Sequence, residues 1–132
     1  MPPVEESLKE LEEKLNEALD LLEKKDVIQA SEKLYWIAER VIKKLAEIHN
    51  LPEHEEASRI GRWTTRLLEN AAKKLKEKYG EEFYHWWETA YDILHIRGFH
   101  EGMLTVEEVR ENTSVIEQML NTLKREMILS SS

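Results

Sequence analysis

At 132 residues with 41% hydrophobic content and no cysteine, the chain is the length of one domain with a single core that no disulfide holds together. A formal charge of −8 excludes a protein that coats nucleic acid by bulk electrostatics, although a local basic patch stays open. No run of about 18 apolar residues exists, so no membrane-spanning helix is expected.

Only 3 prolines and 4 glycines punctuate the sequence, and no β-alternation competes with the helical periods. The first helix is predicted over 4–24, with Pro2 and Pro3 at its start and Leu8, Leu11, Leu15, Ala18 and Leu22 on one stripe. Asp26 is placed to cap a second helix over 26–50, which forms an antiparallel hairpin with the first. Its core stripe is Val27, Ala30, Leu34, Ile37, Val41, Leu45 and Ile48, and its opposite surface carries Gln29, Glu32, Lys33, Trp36 and Arg40. Asn50, Leu51 and Pro52 end it, and 53–58 reads as a polar connection.

The third helix is expected over 58–79, presenting Ile60, Trp63, Leu67, Ala71 and Leu75, with Gly80 as terminator. The fourth, over 81–98, is apolar on much of its circumference. Phe83, Trp87, Ala90 and Leu94 form one stripe, Tyr84 and Tyr91 a second, Trp86 and Ile93 a third, so it needs cover on more than one side. Gly98 and Gly102 bracket a turn, and Thr105 with Glu108 forms a capping box for a fifth helix over 105–128. That helix buries Val106, Val109, Thr113, Ile116, Leu120, Leu123 and Met127, and the tail 130–132 is expected to fray. The acidic start Met-Pro-Pro-Val-Glu-Glu is unlike a signal peptide, which leads to a cytoplasmic expectation. Charged residues at 35% with only two glutamines are a bias seen in thermophile proteins.

Two stretches carry a family resemblance. Gln29-Ala-Ser-Glu-Lys33 on the second helix, and Leu94, His95, Phe99, Glu101, Gly102 and Leu104 leading into the fifth, resemble the archaeal PaREP family of small helical proteins, which looks like a branch of the HEPN superfamily. The resemblance implies an all-α, five-helix antiparallel up-down bundle of HEPN type that commonly dimerises. Some HEPN domains are ribonucleases, and others bind nucleotides or pair with small nucleotidyltransferases. The ribonucleases carry an Arg, a polar neighbour, and a His four to six positions beyond the Arg. Here Arg97 is followed by Gly98 and stands three positions before His100, so both the spacing and the neighbour depart from that pattern.

Several constellations have both a chemical and a packing reading. His95, Arg97, His100 and Glu101 could pair an imidazole base with a phosphate-stabilising cation, or simply suit the negative end of a helix. His85, Glu88, Asp92 and His95 align at helical spacing as metal ligands would, but no second Glu-x-x-His completes a di-iron bundle, and no metal or cofactor is expected. Arg59, Arg62 and Arg66 share one face of the expected third helix and could join Arg40, Lys43 and Lys44 in a basic surface, or pair with nearby glutamates. The four tryptophans suit base stacking or core packing. Gln29, Ser31, Glu32 and Lys33 fit either an interhelical polar network or a small-ligand contact.

The resulting expectation is a homodimeric, non-catalytic binding or partner module in a nucleotide- or RNA-linked process. Gln29, Lys33, Trp36, His95 and Glu101 are its candidate binding residues, and Trp86, Ile93 and Trp36 its candidate dimer contacts. The first alternative is a metal-independent endoribonuclease with Arg97, His100 and His95 as candidate catalytic residues. The second is a purely structural module for protein partners.

Overall fold

The computed structural model describes residues 4–131, and side chains from 8 to 130. Six α-helices follow one another without a strand among the described residues: α1 (Val4–Glu23), α2 (Val27–Ile48), α3 (Pro52–Ile60), α4 (Thr65–Tyr79), α5 (Glu81–Thr89) and α6 (Val106–Ser131). Between α5 and α6 lies an eleven-residue π-helical segment, Ala90–His100. Pro2 and Pro3 lie outside the described residues.

The capping signals act where the sequence places them. Asp26 accepts a hydrogen bond from the Gln29 amide at 3.1 Å and starts α2, after a connection in which Lys25 adopts φ 64°. Thr105 and Glu108 exchange two hydrogen bonds, 3.0 and 3.1 Å, as a capping box for α6. α2 closes at His49, and the Leu51 amide bonds back to the Ala46 carbonyl at 2.9 Å.

The five-segment division needs correction at four places. Residues 53–58 belong to α3, because Pro52 sits at its first turn, where a missing amide proton costs nothing, and Glu53 and Glu55 favour its positive end. The expected continuous helix over 58–79 is broken at Gly61, whose φ of 82° suits glycine, before Thr64 caps α4 through the Leu67 amide. Gly98 does not bracket a turn. It lies inside the π segment, where the ladder has slipped by one residue, and the Glu101 amide then bonds the Ile96 carbonyl at 2.8 Å. At the other end α6 continues through Ser130 and Ser131 instead of stopping before the tail, while Ser132 lies outside the described residues.

The core is organised around α2, which packs against α1, α3, α4, α6 and the π segment. Its predicted stripe is buried at Ala30, Leu34, Ile37, Val41 and Leu45, but so are Ser31, Tyr35, Ala38, Ile42 and Ala46. Only a narrow polar face remains open. Phe83, Trp87, Ala90 and Leu94 enter the same core, as do Val109, Ile116, Leu120, Leu123 and Met127 of α6. The second stripe of the fourth predicted helix is covered within the subunit. Tyr84 and the Trp87 indole N–H both donate to the Glu69 carboxylate of α4, and Tyr91 packs its edge against Tyr35 at 6.1 Å. No helix among the described residues is long and apolar enough to cross a membrane.

Candidate functional site

The π segment presents a row of rings to α2. Trp87, Tyr91, His95 and Phe99 follow one another with centroid separations of 6.2, 5.4 and 6.3 Å, and His95 stacks on Tyr35 of α2 at 4.0 Å. His100 meets His95 edge-on at 4.5 Å. The segment comes this close because Gly98 has no side chain: a Cβ there would stand 2.3 Å from the buried Ser31 hydroxyl oxygen and 2.7 Å from its Cβ. Ser31, at 0% exposure, has no hydrogen-bond partner for that hydroxyl, so its small volume is what this contact uses.

Where the ring row meets the open face of α2 there is a cleft of about 180 Å³, lined by Glu32, Tyr35, Trp36, Glu39, His95 and Phe99. Burial, with His100 beside it, pushes the His95 pKa below the usual imidazole range, against the opposing pull of Glu39. At neutral pH its ring is therefore an uncharged donor and acceptor. Burial and the Glu39 carboxylate hold the Tyr35 hydroxyl protonated by raising its pKa. Arg40 and Lys14 lie over the Trp36 ring, 4.7 and 4.9 Å from its centroid. The cleft thus combines flat apolar faces with two carboxylate acceptors and has cations at its border.

A second cleft, about 300 Å³, opens further along the same face of α2. Arg40, Lys43, Lys44 and Glu47 line it, opposite His54 of α3 and Trp63 of the α3–α4 connection. Lys43 pairs with Glu39 at 3.4 Å and Lys44 with Glu47 at 3.2 Å.

Of the candidate binding residues, Trp36 and His95 are brought together in the first cleft. Lys33 is turned toward α1, 3.7 Å from Glu17, and both Gln29 and Glu101 are exposed outside the cleft. Arg97 and His100 are exposed on the π segment. His85, Glu88, Asp92 and His95 do not form one metal-binding stripe, because the wider turn from Ala90 onward moves Asp92 and His95 off α-helical register. Among the described residues no three His, Asp or Glu side chains gather as metal ligands. Nor do Arg59, Arg62 and Arg66 share a helix face: the break at Gly61 separates them, and Arg59 and Arg66 both pair with Glu56, at 3.9 and 3.5 Å. Trp86 and Ile93 are half-buried.

Sequence reasoning missed Tyr35, Glu39, Phe99 and His54 as lining residues, and it reached Trp63 only as one of four tryptophans suited to stacking or packing. The spacing of Trp36, Arg40, Lys43 and Lys44, four, three and one apart, was the available signal for the α2 wall. His54 carried none and Trp63 only its residue type, since their place depends on how α3 folds back.

Two solved structures share this architecture. One is a crystal structure of a Sulfolobus solfataricus protein, 32% identical, aligned over 88% of this chain and 94% of that one with a TM-score of 0.80. The other is a solution structure described as the Orf c02003 protein, 31% identical over 88% of this chain and 89% of that one, with a TM-score of 0.75. No curated protein matches the chain. A sequence model describing the archaeal PaREP1/PaREP8 family matches residues 6–120.

Proposed function

This chain belongs to the archaeal PaREP1/PaREP8 family, and we propose that it is a non-catalytic binding or partner module of HEPN type, serving a nucleotide- or RNA-linked process. The observation that supports this reading is the cleft lined by the aromatic side chains of Tyr35, Trp36 and Phe99 beside Glu32 and Glu39. An aromatic face takes any base by stacking, worth about 1–3 kcal/mol per base, and a carboxylate accepts from exocyclic amino or ring N–H groups on a base edge. At about 180 Å³ the cleft is smaller than the roughly 300 Å³ lower bound for drug-sized sites, which suits one ring system better than a whole nucleotide.

The test is titration of the purified protein with nucleosides, followed by indole fluorescence or calorimetry. Saturable binding that Trp36→Ala weakens at least tenfold is expected, and single- or double-stranded RNA incubated with chelator should remain intact. Absence of saturation with every nucleoside would remove the base-binding reading of this cleft. Metal-independent cleavage of RNA that vanishes in both Arg97→Ala and His100→Ala would replace this reading by the endoribonuclease. The close approach of His95 and His100, 4.5 Å between rings, is what favours that second reading, because it places two imidazoles on one segment with Arg97.

The same proposal includes a homodimer. Trp86 and Ile93 stay half-buried after the other stripes of α5 and the π segment are covered, and we propose that they, with help from the α2 surface around Trp36, supply a two-fold patch. Sedimentation at tens of micromolar should give the mass of two chains, and Ile93→Glu, which places two like charges near the axis, should give one without loss of helix content. A wild-type monomer under these conditions would refute the dimer.

A further inference from the structure

We infer that the second cleft, between α2 and the α3–α4 connection, binds the di- or triphosphate group of a nucleotide. This deepens the reading above, because the base of that nucleotide would occupy the neighbouring aromatic cleft.

Three observations carry it. First, the cleft is locally cationic in an acidic protein: Arg40, Lys43 and Lys44 line it with Glu47, and even with Glu39, which pairs with Lys43, counted in, a formal excess of one remains (3 − 2), whereas the whole chain carries −8. Both lysines sit in partly exposed, close-in-sequence ion pairs on one helix, which bring only modest energy, so an anion with several charges can compete for them. Second, the two clefts form one surface. Trp36, Arg40, Lys43 and Lys44 recur at helical spacing on α2, and the eight steps from Trp36 to Lys44 span about 12 Å at 1.5 Å per residue. Arg40 links them, standing over the Trp36 ring at 4.7 Å at the border of the aromatic cleft and lining the cationic wall of the other. Its guanidinium is thus poised where a base and its first phosphate would meet.

Third, the cationic surface stops. The break at Gly61 puts Arg59 on α3 and Arg66 on α4, so the arginines beyond it do not line up in one row along a helix as a track for a nucleic-acid backbone. A short polyanion matches a closed patch of this size, with His54 and the half-buried Trp63 as its far wall.

The experiment uses three probes on the wild-type protein at physiological salt: inorganic pyrophosphate, a nucleoside, and the corresponding nucleoside diphosphate. Pyrophosphate should bind saturably, and the diphosphate should bind at least tenfold more tightly than the nucleoside. In Lys44→Glu, whose thermal melt verifies folding, pyrophosphate binding and the tenfold gain should both be lost while nucleoside affinity stays unchanged. Failure of pyrophosphate to bind, or binding indifferent to Lys44→Glu, overturns the inference whatever the nucleosides do. Equal affinity for nucleoside and diphosphate overturns it as well and leaves the base cleft standing. Pyrophosphate binding without nucleoside binding would uphold a phosphate site and remove the base reading instead. Tight binding of single-stranded RNA with none of pyrophosphate would show a backbone track and sink the inference.

Discussion

Gly98→Ala should destabilise the protein by about 1–3 kcal/mol or more, the range for forcing extra atoms into a packed interior. The added Cβ would stand 2.3 Å from the Ser31 hydroxyl oxygen and 2.7 Å from the Ser31 Cβ. Rotating the serine removes the first clash but not the second, because the backbone of α2 fixes the Cβ. The π segment must therefore move away from α2, and the stacking of His95 on Tyr35 and the cleft between them move with it. Combining Gly98→Ala with Ser31→Gly removes both clashing atoms. Against the roughly 1 kcal/mol that glycine costs inside a helix, the double variant should still be more stable than the sum of the single changes predicts. Denaturant melts of the four proteins measure this directly. An additive cycle would mean that the approach of the two segments does not depend on this pair.

Leu34→Ala should cost about 2–5 kcal/mol, toward the upper end of that range. The penalty has two parts, the lost transfer of the side chain and the cavity left behind, and the second depends on how far the surroundings can collapse. Leu34 is fully buried on α2, which neighbours enclose on most sides, so little relaxation is available. Leu120, also buried at 2% exposure, lies on α6, and its Ala variant should lose somewhat less. A loss below about 1 kcal/mol for Leu34→Ala in urea melts would show that the α2 stripe is not the centre of the core.

The sequence carried the helices and their buried stripes because both are local. Asp26 and Thr105 cap within their own first turns, and a three/four period needs no knowledge of the neighbour it will face. The division at Gly61 was legible in principle, since a glycine followed by a threonine cap is a stop and start signal, but an apolar stripe drawn through Ile60 and Trp63 hid it. Ile60 is 43% exposed, so that stripe never existed.

The candidate site divides the same way. Trp36 and His95 were identifiable as unusual residues on stretches resembling a known family, and they do meet. Lys33, close by in sequence, faces elsewhere because each position along a helix turns a side chain by about 100°, and Glu101 lies past the end of the π segment. His54 and Trp63 entered a cleft only because α3 folds back against α2.

What the sequence alone determined is an all-helical chain, the caps that start α2 and α6, and the apolar faces that have to be buried. What only the tertiary structure decided is the path from Ala90 to His100. An α-helical reading of that stretch satisfies every local preference, yet the backbone there runs one residue wider, packed against α2 through Gly98 and Ser31 and through the stacked rings of Tyr35 and His95. Hydrogen-bond register within a helix is a choice between states that differ little in local energy, so contacts with a distant segment can select it.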